Sequence, residues 1–401
     1  MKLNRNFNIL LTGQSFANIG DVLYMVSIIY VIYELIGSAA SAAFVPFIIT
    51  SSMFVSNALT PLLMQRFNLK WLLAGSQIGK TALLFGLAYG MPLFSLSNYY
   101  FVFFIIGLIS LLDGCASPAT QSLIPIYVEK TRLLRTNGVN DAITQSIQTV
   151  MWFIGGSLLF WLAANDILWL SAGLFSISSV LLCCLSPVAH KPDSGQTNWQ
   201  QISHGWKLVA KSPLLKRIAW MDFLETAAGT VWIAALLLVF VQEALLKGEA
   251  WWGFINGSFF LGLIVGSLLC LSFSRVFEEK LSWFIFLGTF ISSITTFLFG
   301  LSGFPVLALL FSFLVGVAGQ IKNIPQQTLI QSSTSESDLP TVFTTLGAIG
   351  TGTFGIASLL MGIIADAFGI RAVFMLSSFL LLVVGLIAFK GRVLLCRPQQ
   401  L

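Results

Sequence analysis

Twelve times along this chain, a stretch of about 20 residues runs almost free of charge before a short polar break interrupts it. The stretches fall near 9–34, 41–64, 71–92, 98–118, 138–163, 166–187, 214–241, 252–273, 281–301, 304–322, 341–364 and 371–390. Each is built mainly of Leu, Ile, Val, Phe, Ala and Gly. A helix of about 20 such residues covers a hydrocarbon core about 30 Å thick. In lipid only helices and closed barrels satisfy their own backbone groups. Barrel strands alternate in polarity, a pattern absent here. The charged fraction is 9% against 56% hydrophobic residues, where a soluble domain carries about 25% charged residues. The expectation is an all-α integral membrane protein with twelve transmembrane helices.

The basic residues orient these helices. With both termini cytoplasmic, 18 of the 21 lysines and arginines fall in cytoplasmic segments, among them Arg66, Lys130, Arg132, Arg217, Arg275, Lys280 and Lys322. Lys247 and Arg371 stay outside, and Lys80 lies within a span. This asymmetry follows the positive-inside rule and requires an even number of spans. The net charge of +5 is spread over these loops, so it does not point to nucleic acid. A connector at 188–213, entered at Pro187, separates residues 1–187 from 214–401, six spans from six. Within it, residues from Trp199 onward form either an amphipathic surface helix, with Ile202, Trp206 and Val209 on one face, or a solvated linker. The sequence Pro118-Ala-Thr-Gln-Ser-Leu-Ile echoes Pro325-Gln-Gln-Thr-Leu-Ile, the prolines 325 − 118 = 207 residues apart. Such duplication is common in secondary transporters. The five cysteines show no paired spacing of a metal site or a disulfide framework. The first span reads as retained rather than as a cleaved signal.

Ionisable groups inside spans are costly, about 2.5–3.5 kcal/mol at mid-helix, and so point to function. Asp21 shares a helical face with Gln14 and Asn18, spaced by three and four. It is either a proton-exchanging group lining a cavity or a buried acid tying helices together. Lys80 and Asp113 lie at similar depth and suggest an intramembrane ion pair. Asp222 and Glu225, at i and i+3, form either a cation or proton site or a pair reaching toward Lys216 and Arg217. Gln145, Gln148, Trp152 and Trp232 are cavity-lining candidates; interfacial placement is the other reading for the tryptophans. No metal site is expected, since His190 and His204 both lie in the connector. The run Gly75-Ser-Gln-Ile-Gly79-Lys80-Thr81 is not a phosphate loop: Ala74 replaces the required first glycine, and no strand precedes it.

Several motifs together resemble the major facilitator superfamily, and within it the macrolide-efflux-like branch of drug/proton antiporters. They are Gly13-Gln-Ser-Phe-Ala-Asn-Ile-Gly-Asp21, then Pro118-Ala119 with Ile124-Pro125, Leu134 and Asn137. Further along come Gly205-Trp206 with Ser212-Pro213-Leu-Leu-Lys-Arg217, the glycines Gly253, Gly262 and Gly266, and Gly362-Ile-Ile-Ala-Asp366-Ala-Phe-Gly369-Ile-Arg371. The loop with Gln65, Arg66 and Lys70 matches the superfamily's cytoplasmic gate loop, with Gln65 where the family carries an acid. Ser110 stands where an arginine is frequent, and Met151-Trp152 precede Gly155-Gly156 where the antiporter motif has Gly-Pro.

The resemblance implies two six-helix bundles in the cell membrane and a monomeric secondary transporter. It would export a small apolar or amphipathic compound in exchange for protons, without cofactor, enzymatic activity or nucleic-acid partner. The proton-coupling candidates are Asp21, Asp113, Lys80, Asp222 and Glu225. A metabolite facilitator or importer, a lipid or siderophore exporter, and a non-transporting sensor or immunity protein stay open as alternatives.

Overall fold

In an apolar run the only partners for backbone N–H and C=O groups are each other, and helices form over all twelve stretches. The computed structural model describes residues 4–36, 39–94, 98–158, 161–188, 198–232 and 234–391, and no strand occurs among them. The first six spans correspond to α1 (Arg5–Ile36), α2 (Ala39–Arg66), α3 (Leu69–Gly90), α4 (Tyr100–Tyr127), α5 (Leu133–Leu158) and α6 (Ala164–Cys183). A connector helix α7 (Asn198–Lys211) leads to α8 (Pro213–Gly229), a 3-10 turn, and α9 (Ala234–Val239), which ends in a π-helical turn. The stretch expected as one span at 214–241 is therefore a broken helix. There follow α10 (Glu249–Ser272), the short α11 (Ser274–Glu279), α12 (Leu281–Leu301), α13 (Pro305–Ser333), α14 (Leu339–Phe368) and α15 (Ile370–Lys390). Among the described residues, eight helices are long and apolar enough to cross a membrane, or nine with the bent α8–α9 pair.

Local chemistry sets several ends. The Asn68 side chain accepts from the Lys70 N–H at 2.9 Å and caps α3. Ser212 accepts from Leu215 at 3.3 Å ahead of Pro213, the favoured first helical residue. Gly369 enters α15 at φ +83°, a conformation that suits glycine. Two ends differ from expectation. Helix α4 continues through Pro118 and Pro125 to Tyr127, and α13 through Pro325 to Ser333. Proline removes one helical hydrogen bond, yet it is tolerated in membrane helices whose neighbours and hydroxyls compensate.

The chain divides into two units. The first comprises Met1–Glu129, Ile147–Trp206 and Glu336–Thr351. In it α1 packs on α6, α6 on α3, α3 on α4 and α4 on α2. Its apolar core includes Tyr24, Ile28, Ile32, Leu84, Ile106 and Phe175. Gly114 lets α4 approach α2: a Cβ there would stand 2.5 Å from the Ser56 Cβ. The connector helix belongs here in part. Gly205 lies against Thr341 and Thr345 of α14, and His204 Nε2 is 3.5 Å from the Asp338 carboxylate. Trp206 is half exposed and Val209 buried. Gly205 and Val209 of this helix are buried, while the side chain of Ile202 and connector residues 189–197 lie outside the described residues.

The second unit comprises Lys130–Ser146, Lys207–Ser335 and Gly352–Leu401. Here α8 packs on α15, α15 on α12, α12 on α13 and α13 on α10. This is the same neighbour order in the second half of the chain, and Pro118 and Pro325 lie buried inside the corresponding helices α4 and α13. The core gathers Phe240, Phe299, Phe374, Ile255 and Val373. Helices α10 and α13 touch through backbone: a Cβ on Gly262 would lie 2.1 Å from the Phe313 carbonyl oxygen. Small residues that allow such approach are what hold membrane helices together, since lipid offers no hydrophobic drive.

Replacing Gly262 by alanine is expected to lower stability by about 1–3 kcal/mol through overpacking. Gly253→Ala, on the same helix with nothing within 4 Å of its added Cβ, should be neutral or mildly stabilising. Thermal unfolding of the two purified variants in detergent checks the contrast.

Candidate functional site

A buried ammonium group needs counter-charge, and Lys80 of α3 finds it on two other helices. Its Nζ lies 2.8 Å from Asp21 Oδ1 of α1 and is hydrogen-bonded to Asp113 Oδ1 of α4. The Phe175 ring of α6 stands 4.7 Å from the same nitrogen. Lys80 is 1% exposed. Four helices of the first unit therefore meet at one lysine. The sequence reading treated Asp21 apart from the Lys80–Asp113 pair; the structure joins all three. On the Asp21 face, Gln14 Nε2 donates to Thr120 Oγ1 at 3.0 Å, and Gln14, Asn18 and Asp21 are all half-buried.

The second unit builds a similar cluster from different helices. Lys322 of α13 is hydrogen-bonded to Glu225 Oε2 of α8, and its Nζ lies 3.7 Å from Asp222 Oδ1. Gln326, one turn further along α13, donates to Asp222 Oδ1 at 2.6 Å. Lys322 is 2% exposed. It was expected in a cytoplasmic loop, and that expectation is corrected: α13 runs 11 residues past 322, and the side chain turns inward. Asp222 and Glu225 accordingly face Lys322, while Arg217 packs against Gly391 at the end of α15. The signal for Lys322 was indirect. Two acids on one face of a span require a cation, and Lys322 stood next to an expected helix end.

Each cluster holds two carboxylates and one ammonium. With every group ionised it carries one uncompensated negative charge, and it can take up one proton or a monovalent cation at that point.

A third polar contact escaped the sequence reading. Asn137 of α5 donates to Thr328 Oγ1 at 3.1 Å and to Gln331 Oε1 at 2.7 Å on α13. One residue on, Gly138 allows α5 to lie against the Leu271 backbone of α10. Gln145 and Gln148 are half-buried further along α5. Trp232, at the break after α8, is held by Phe259, Phe299 and Phe374 at centroid distances of 6.0, 4.7 and 5.8 Å, in the aromatic core of its unit. In the gate loop Arg66 is exposed, and the buried Lys70 lays its ammonium 4.6 Å from the Trp71 ring centroid. The side chains of Gln65 and Trp152 lie outside the described residues.

No family model matches the chain. Two Bacillus subtilis (strain 168) proteins named as MFS-type transporters resemble it over almost its whole length. YfmI is 29% identical over 393 residues, 97% of each chain. YjbB is 29% identical over 386 residues, 96% of this chain and 95% of that one. Among solved structures, the human organic anion transporter MFSD10 (TETRAN) superimposes with TM-score 0.77 at 11% identity, covering 97% of this chain and 100% of the other. A bacterial homologue of the iron transporter ferroportin gives 0.77 at 13% identity, covering 97% and 99%. The Escherichia coli fucose:proton symporter FucP gives 0.75 at 15%, covering 96% and 98%. At these identities the structures speak for the fold.

Fold and apolar helices together define a multi-pass integral membrane protein with ionic clusters buried in its helices. The relatives point the same way: over nearly its whole length the chain is similar to proteins named as MFS-type transporters, and it shares the fold of solved major facilitator transporters.

Lys80→Met should cost about 1–3 kcal/mol of stability, less than the about 3–5 kcal/mol of a fully buried pair, because Asp21 and Asp113 keep partial exposure. Adding Asp113→Asn should recover much of that loss. Thermal unfolding of the single and double variants in detergent reads the difference.

Proposed function

We propose that the chain is a secondary active transporter that exports a small apolar or amphipathic compound in exchange for protons. In this reading residues 1–187 and 214–401 form two six-helix bundles, joined by the connector at 188–213, with both termini cytoplasmic. They expose a central cavity alternately to either side. The observation that carries the reading is the pair of lysine-centred clusters, one from each half of the chain, each with one carboxylate more than its lysine can neutralise. A lysine that swings between two carboxylates frees one of them to bind a proton, which suits alternating protonation. Asp21, Asp113 and Lys80 carry this role in the first half, and Asp222 and Glu225, now with Lys322, in the second.

Gln14, Asn18, Gln145, Gln148 and Trp152 line the substrate path, Trp232 supports it from the aromatic core of its unit, and Gln65, Arg66 and Lys70 form the cytoplasmic gate loop. The protein acts as a monomer in the bilayer and catalyses no covalent change. A proton moving down about 100 mV supplies about 2.3 kcal/mol, enough for roughly a fiftyfold gradient of a neutral solute.

The likeness in fold to the fucose:proton symporter favours a second reading, proton-coupled import of a polar metabolite through the same clusters. Vesicles holding purified protein separate the two. Addition of lipophilic compounds should move protons in wild type, and the movement should vanish in Asp21→Asn. Proton flux with sugars and not with lipophilic compounds would select the import reading. An Asp21→Asn protein with wild-type flux would remove Asp21 from the coupling path.

A further inference from the structure

Neither lysine cluster uses Asp141. This carboxylate lies in α5, 141 − 133 = 8 residues after the helix begins at Leu133. That is roughly 12 Å along the axis at about 1.5 Å per residue. Asp21, Asp113, Asp222 and Glu225 each share a lysine. Asp141 has none: among the described residues its hydrogen-bond partner is the neighbouring Asn140 amide, at 3.2 Å, and no lysine or arginine pairs with it.

The surroundings show what Asp141 faces. Asn137, Gly138 and Asp141 are spaced by one, three and four residues and share a side of α5. Asn137 is fastened to Thr328 and Gln331 of α13. Gly138 lies against α10, where a Cβ would be 3.4 Å from the Leu271 nitrogen. Cys270, the residue beside Leu271, is within electrostatic reach of Asp141, and its thiol points at the Gln320 carbonyl of α13 at 3.8 Å. Among the described residues, the buried Gln320 Oε1 has no hydrogen-bond partner. The α10 group within electrostatic reach of Asp141 is thus a thiol and not a cation. The α13 side chains fastened to this side of α5, Thr328 and Gln331, carry no charge, and α5 itself contributes the Asn140 amide.

A half-buried carboxylate within a span, with no cation against it among the described residues, is where a proton can supply the missing counter-charge. We propose that Asp141 is a third proton-binding site, separate from the two lysine clusters, which holds its proton while Asn137 is fastened to α13 and gives it up when that clasp opens. Its position one turn beyond the clasp couples the two: parting α5 from α13 and α10 admits water to the carboxyl. The part it plays in coupling rests on the antiport reading; its protonation does not.

Infrared difference spectra of the full chain in vesicles across pH test the site directly. Wild type should show, as the pH is lowered, a component of the C=O stretch of protonated carboxyls that belongs to Asp141. Asp141→Asn should lose that band, Asp21→Asn should keep it, and Asp141→Glu should shift its frequency. A band unchanged in both Asp141 variants overturns the proposal, and Asp141→Glu alone decides it if the asparagine variant does not fold. Asn137→Ala should move the band's titration to lower pH, because an opened clasp lets water favour the ionised form; an unmoved titration overturns the link to the clasp. In the flux assay, wild type that moves no protons with any compound would sink the antiport reading and leave the infrared result standing. Wild-type proton flux retained in Asp141→Asn would instead exclude Asp141 from coupling.

Discussion

An ammonium group inside a bundle of apolar helices has to be met by carboxylates from neighbouring helices, and much of this molecule is arranged around that requirement. Lys80 draws α1 and α4 to α3 in the first unit; Lys322 draws α8 to α13 in the second. The attraction inside such a site is strong, but so is the cost of removing each ion from water. Clusters like these are weak sources of net stability and strong sources of specificity. They define which helices meet, at what depth, and with how many charges left over. Two carboxylates per lysine leave a group free to change protonation, which a fully matched pair would not.

Around these clusters the packing is done by backbone-to-backbone approach. Gly262 and Gly316 bring α10 against α13, and Gly114 brings α4 against α2. These glycines are on the helices that carry or flank the ionic residues: Asp113 precedes Gly114, and Lys322 follows Gly316 by six residues. Close contact and charge placement are therefore linked, since a helix held away by one methyl group would carry its lysine or aspartate out of hydrogen-bond range.

The two halves of the chain repeat one packing order while placing their charges differently. In the first, the lysine is on the third span and the acids are on the first and fourth. In the second, the lysine is on the tenth span and both acids are on the seventh. A shared architecture with divergent ionic groups is expected if duplication set the helix order and later substitution set the chemistry.

Hydropathy marked where the apolar helices lie, because the backbone has no alternative in lipid and about 20 residues is what the bilayer demands. Asn68 and Ser212 cap helix starts through local hydrogen bonding, which needs no knowledge of the fold. Helix ends were less legible: the expected spans stopped at 118 and 322, whereas tertiary neighbours let α4 and α13 continue through Pro118 and Pro325. The acids Asp21, Asp113, Asp222 and Glu225 stood out as charges in apolar runs, but their partners did not. Lys322 read as a loop residue, Asp21 as independent of Lys80, Asn137 only as a motif position, and Asp141 as nothing in particular. Which side chains meet depends on how each helix is rotated about its axis. Only the packing of Gly114, Gly262 and their neighbours sets that rotation, through contacts between residues more than fifty positions apart that leave no trace in the local sequence.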